Sequence, residues 1–184
     1  MLSISDVNLR DMVQKDLEMV LDWRNSESVR RSMLTDQIIT LEDHKEWFRG
    51  VSKNDDCEWM IAEYEGQAVG VVSITEIKRR DATCTWGMYI GSKFSNIGIG
   101  VLMEIHAIDR MVGYHRIRKI WGQVLKSNRI MSTHKRFGFE VEGVFKEHVF
   151  RNNAYEDVVL IALFSRNWQE KREQMVSFLN LKED

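Results

Sequence analysis

The stretch from Trp86 to Leu102 does most to limit what this chain can fold into. Its apolar character runs as a strand up to Ile90, glycines follow at Gly98 and Gly100, and the pattern then switches to helical spacing, with Val101, Ile105, Ile108 and Val112 on one face. The helix should end near Gly113, and Lys119 to Leu125 reads as another short strand. Strand, glycine loop, helix and strand make a crossover unit in the middle of the chain. Glycines in such a loop let the backbone approach an anion closely. The helix N-terminus adds unpaired N–H donors and the positive end of the macrodipole, so the geometry suits a pyrophosphate. A glycine turn leading into a core helix would look the same locally, so the remainder of the chain has to decide.

Before the crossover, Val7 to Met12 reads as a first strand, and Leu17, Val20 and Leu21 form a helical stripe that reaches Arg24. Thr40 with Asp43 resembles a capping box, opening a helix with Leu41, His44, Trp47 and Phe48 on one side. Glu58 to Glu63 and Gln67 to Ile77 flank the hairpin signal Tyr64-Glu65-Gly66, and Thr83 to Ile90 completes an antiparallel meander. After the crossover come a short helix from Asn128 to Phe137 ending at Gly138, a hairpin about Arg151 to Ala154, and a last helix bearing Trp168, Met175 and Leu179. The layout is α+β: a central mixed, mostly antiparallel sheet flanked by helices in one domain spanning residues 1–184.

A formal charge of -2 argues against general affinity for nucleic acid or an anionic membrane. The start lacks the basic and apolar pattern of a signal peptide, and the longest clean apolar run, Val158 to Phe164, is too short to span a bilayer, so the expectation is a cytoplasmic protein. Cys57 and Cys84 fit no metal spacing or disulfide framework and read as free thiols. No His, Cys and carboxylate cluster has a ligand spacing, so no metal is expected.

The order of elements, with Gly98 and Gly100 opening the helix, resembles the GNAT superfamily of N-acetyltransferases over nearly the full chain. A second matching block is Val124-Leu-Lys-Ser-Asn128 followed by His134-Lys-Arg-Phe-Gly138-Phe139. The resemblance implies acetyl-CoA as donor and splayed strands at its cleft. Met88, Tyr89 and Ile90 would then run along the pantetheine arm, Ile97, Gly98, Ile99 and Gly100 would meet the pyrophosphate, and Asn128 would lie near the CoA arm. His134 stands where the family often has a Tyr hydroxyl, and Ser95 where its loop usually has Arg or Gln; Lys93 is a candidate replacement cation. The family likeness also suggests a homodimer.

Such a scaffold requires no nucleophilic triad, because a neutral amine attacks a thioester directly once it is deprotonated, close and aimed. Backbone N–H groups around Met88 to Ile90 would stabilise the oxyanion. The departing thiolate needs an acid, and His134 could supply that proton, position the substrate or simply be packed. Candidate bases are Glu76, Glu142, Glu147 and the carboxylates of the early helices.

The acceptor rests on the early helices and the late hairpin. Arg24 continues an apolar stripe, where a cation snorkels, meets an anion or interacts with the helix C-terminus. Leu21-Asp-Trp-Arg-Asn25, Ile39-Thr-Leu-Glu-Asp-His44-Lys-Glu-Trp-Phe48 and Val69-Gly-Val-Val-Ser-Ile-Thr75 resemble the acetyltransferases of pseudaminic acid biosynthesis. That likeness implies a UDP-linked 4-amino-4,6-dideoxy-N-acetyl-altrosamine as partner, with Arg24, Asn25, Arg30, His44 and Trp47 contacting it; Phe48 reads as core. Three alternatives stay open. Asn152, Tyr155 and Asp157 also resemble acetyltransferases of ribosomal-protein N-termini. The carboxylates Glu42, Asp43, Glu46, Asp55, Asp56 and Glu58 would suit a polyamine. A GNAT fold that binds acyl-CoA as a sensor without turnover is the third.

Overall fold

Side chains alternate across a strand, and here the two faces of the sheet carry two different cores. The computed structural model describes residues 2–91 and 97–182. Strands β1 (Val7–Asp11), β2 (Glu58–Tyr64), β3 (Gln67–Lys78), β4 (Thr83–Ile90), β5 (Lys119–Leu125), β6 (Glu140–Arg151) and β7 (Ala154–Phe164) form a seven-stranded sheet in the order β1-β2-β3-β4-β5-β7-β6. All neighbours are antiparallel except β4 and β5. Six α-helices are described: α1 (Leu17–Asn25), α2 (Glu27–Arg30), α3 (Leu41–Val51), α4 (Ile97–Asp109), α5 (Met131–Arg136) and α6 (Trp168–Phe178). On one face Val72 and Ile74 of β3 share a core with Leu102, Ile105 and Ile108 of α4 and with Phe137, Trp168 and Met175. On the other, Val71 and Ile61 pack with Leu17 and Val20 of α1 and with Trp47 and Phe48 of α3.

Local signals explain the ends of the helices. The Thr40 hydroxyl accepts the Asp43 backbone N–H and starts α3, and Gly138, at φ 93°, ends the α5 turn in a conformation that L side chains rarely adopt. The short helix begins later than expected, at Met131, because Asn128 is held in a turn in which its Oδ1 accepts the Ile130 N–H at 3.1 Å. The sequence reading also did not anticipate α2, capped by Ser26. No helix among the described residues is long and apolar enough to cross a membrane.

The feature that positions the site is a fork. Strands β4 and β5 pair only at Thr83 with Lys119, Cys84 with Ile120 and Thr85 with Trp121. Beyond Thr85, β4 continues to Ile90 paired to β3 alone, which leaves its other backbone edge free of strand partners among the described residues. Trp86 fills the base of the fork. Its indole lies over Gly122 of β5, where an added Cβ would sit 2.6 Å from the ring, and stacks on Phe139 with centroids 4.4 Å apart. A residue with a side chain at that β5 position would displace the ring.

Candidate active site

A cavity of about 1010 Å³ follows the fork. Met88, Ile90, Gly100, Asn128 and His134 line it from the crossover side, and Arg24, Met33, His44, Trp47 and Trp59 from the side of the early helices. The strand period divides the expected donor residues. Met88 and Ile90 pack towards the α4 core, whereas Tyr89 packs towards the core beneath α1 and α3. Burial raises the Tyr89 phenol above its usual range, partly offset by the Arg24 charge. Tyr89 therefore presents its side chain on the acceptor side and only its backbone to the fork. Gly100 faces the cavity, where a Cβ would lie 3.1 Å from Ile90 Cδ1, a tight contact, while a Cβ on Gly98 would collide with Leu2. The Ile99 side chain is buried in the core. The side chain of Ile97, together with Lys93 and Ser95, lies outside the described residues.

His134 is not a surface helix residue. It is 6% exposed, and its Nδ1 lies 2.7 Å from Oε1 of Glu104, which is 1% exposed. Trp86 and Phe139 meet the imidazole edge-on, with centroids 5.5 and 5.6 Å away. Both His134 and Glu104 line the cavity. Glu104 did not emerge from the sequence reading, although a signal was present: it is a lone carboxylate in the apolar first turns of α4, one helical turn beyond Gly100. Glu76, Glu142 and Glu147, three of the bases suggested by sequence, point elsewhere. Glu142 pairs with Lys119 at 2.7 Å, Glu76 is exposed with Lys78 at 3.9 Å, and Glu147 is exposed on β6.

On the acceptor side Arg24 is the unusual group. Its Nη2 donates to Thr35 Oγ1 at 2.9 Å, but its buried Nη1 has no hydrogen-bond partner among the described residues. Burial lowers its pKa from the ordinary value, though the group stays a cation. His44 is 4% exposed and stacks on Trp47 at 4.9 Å, and Trp47 meets Trp59 edge-on at 4.6 Å. Burial depresses the His44 pKa, partly countered by the Leu17 carbonyl, and its Nε2 has no hydrogen-bond partner among the described residues.

Asn25 and Arg30 do not join them. The Asn25 amide donates to Ile39 O at 2.8 Å and accepts Ile39 N–H at 2.9 Å. Arg30 donates to Asn25 O at 3.0 Å and to Asp36 O at 2.9 Å. Their polar groups close the loop between α2 and α3, and neither residue lines the cavity. Of the suggested acidic group only Asp43 lines the cavity; Asp56 pairs with Arg79 and Glu58 with Arg110. Tyr155 is exposed beside Phe150 on the hairpin, and the Asp157 carboxylate accepts the Glu147 N–H at 3.0 Å between Lys126 and Lys146, so neither faces the cavity. Among the described residues no group of three or more His, Cys, Asp or Glu could hold a metal ion.

A forked sheet with a free strand edge, a helix opening on glycines beside it and an aromatic second chamber suits a thioester donor meeting a second substrate. The family described as acetyltransferase (GNAT) domain matches residues 6–140. This chain belongs to the GNAT acetyltransferase family. Among its relatives, the L-amino acid N-acetyltransferase AaaT of Escherichia coli (strain K12) is 23% identical over 162 residues, covering 86% of this chain and 98% of the relative. Acetyltransferase PseH of Campylobacter jejuni is 20% identical over 124 residues, covering 66% and 74%. The crystal structure of spermidine N-acetyltransferase from Vibrio cholerae in complex with CoA and spermine superposes with a TM-score of 0.85 at 18% identity, covering 90% of this chain and 99% of that one. The GNAT chain is thus an N-acetyltransferase using acetyl-CoA, built on the expected α+β fold.

Proposed function

We propose that this acetyltransferase moves the acetyl group directly from acetyl-CoA to the primary amine of a small acceptor that also carries an anion, such as an L-amino acid or the UDP-linked amino sugar. The observation that carries the reading is the buried, unpartnered Nη1 of Arg24 in the cavity wall. A guanidinium N–H kept out of water with no acceptor is costly, and a phosphate or carboxylate oxygen would relieve that cost with a charge-assisted bond. Trp47 and Trp59 provide flat apolar walls for a base or sugar face. The free edge of β4 between Trp86 and Ile90 offers backbone amides to the pantetheine arm and to the developing oxyanion. His134 serves the departing thiolate.

A polyamine acceptor is the second reading. The likeness to spermidine N-acetyltransferase favours it, extending over more of the chain than the likeness to PseH, and Asp43 in the cavity wall would attract a cationic amine. Purified protein with acetyl-CoA and, separately, the UDP-4-amino sugar, an L-amino acid and spermidine separates the two, with free CoA and product mass as readouts. Acetylation of the sugar or amino acid, lost when Arg24 is replaced, supports the anionic acceptor. Turnover of spermidine alone, indifferent to Arg24, moves the assignment to polyamines.

A further inference from the structure

We infer that Glu104 is a positioning residue that turns His134 into a proton relay between the acceptor amine and the departing thiolate; the inference rests on the acetyl-transfer reading above. A carboxylate at 1% exposure inside an otherwise apolar stretch of α4 is expensive to bury unless it is paired. Its partner is the His134 ring at 2.7 Å, carried on α5 across the cavity wall. A carboxylate only accepts, so Nδ1 carries the hydrogen and Nε2 keeps the lone pair in the neutral ring. The edge-on packing of Trp86 and Phe139 holds the ring plane and opposes the flip that would exchange the two nitrogens. The His134 ring and the free edge of β4 therefore border one cavity, with Nε2 as the nitrogen left for chemistry.

The step balances without any further reagent. The amine nitrogen attacks the thioester carbonyl carbon, an N–C bond forms and the C=O π pair moves onto oxygen. The extra N–H proton passes to Nε2 of His134, giving an imidazolium held by ionised Glu104. The carbonyl re-forms, the C–S bond breaks with its electron pair on sulfur, and the same proton moves from Nε2 to that sulfur. The products are the amide and the free thiol, and His134 returns to its starting form.

A purely structural role, in which the pair only ties α4 to α5, predicts different results. In wild type, ¹⁵N spectra of labelled histidines, with His134 assigned from His134→Gln, should show Nδ1 protonated; an Nε2–H form overturns the inference without any variant of Glu104 having to fold. With the acceptor found in the panel above, Glu104→Gln should lower kcat about 100-fold or more, within the usual range for a lost acid–base group, while the acetyl-CoA KM stays within about threefold. Because Glu104 acts through His134, the double variant should be no more than about twofold slower than His134→Gln alone. Additive losses, or Glu104→Gln within about threefold of wild-type kcat, overturn the relay. Wild type that releases CoA at one rate with or without amine and forms no amide refutes the acetyl-transfer reading and the relay with it, an outcome distinct from an active wild type matched by an active Glu104→Gln.

Discussion

Replacing Arg24 with Met should weaken catalysis and strengthen the fold in the same variant. In the free protein, the buried Nη1 without a partner costs about 1–3 kcal/mol, and the Nη2 bond to Thr35 Oγ1 at 2.9 Å returns about 1 kcal/mol. Met keeps an apolar stem of similar reach against the same wall. The net gain is about 1 kcal/mol, which for a chain of 184 residues is a rise in Tm of roughly 2–4 °C. In the complex the sign reverses, because Nη1 then bonds an acceptor anion, and a hydrogen bond to a charged group contributes about 1.5–3 kcal/mol. The loss corresponds to a fall in kcat/KM for an anionic acceptor of roughly 10- to 150-fold, with the acetyl-CoA KM unchanged. Calorimetric melting and a continuous CoA-release assay measure both effects on one preparation. A Tm several degrees lower with unchanged acceptor kinetics would refute the reasoning, since Nη1 would then be satisfied in solution and Arg24 would be a scaffold cation.

Three other substitutions probe the walls of the cavity. Gly122→Ala puts a Cβ 2.6 Å from the rigid Trp86 ring, so overpacking should cost about 1–3 kcal/mol and raise the acetyl-CoA KM, read by thermal melting and CoA titration. Asn25→Ala removes both bonds to Ile39 and should cost about 1–3 kcal/mol in urea unfolding, raising the acceptor KM more than that of acetyl-CoA because Met33, Leu34 and Ile39 form acceptor wall. His44 is held below its ordinary 6.5 by burial. Between its folded pKa and that value, the unfolded chain binds more protons than the folded one, so stability falls as the pH drops below about 6.5. His44→Phe, which keeps a ring against Trp47, should flatten that acid limb in unfolding curves taken between pH 5 and about 7.5, and an unchanged limb would show that the histidine is not responsible.

Strand and helix periods made most of the fold legible. The meander, the crossover and the final hairpin all lie where alternation and glycines put them, because those signals are local. What escaped was the fate of individual polar groups. Asn25 and Arg30 looked like ligands for an acceptor, yet both brace the loop between α2 and α3 and stand outside the cavity lining. That loop is in turn pinned from far along the chain by buried Arg151, which donates to the carbonyls of Arg31 and Met33 at 3.0 and 2.9 Å. No window of sequence displays a contact of that range. Glu104 was hidden for a related reason: an apolar stripe directs attention to its hydrophobic members, and a carboxylate among them gains meaning only when α5 brings His134 alongside. The role of Trp86 likewise depends on Gly122 of the neighbouring strand, which leaves room for its ring at the base of the fork.

A crystal structure of the protein with CoA and its amine acceptor bears most directly on transfer at the fork. The CoA sulfur should lie between the free edge of β4 and His134, with Nε2 rather than Nδ1 towards it and the acceptor anion on Nη1 of Arg24. CoA seated away from the fork, or an acceptor that turns a cationic end to Asp43 and leaves Arg24 Nη1 without a partner, would contradict this arrangement.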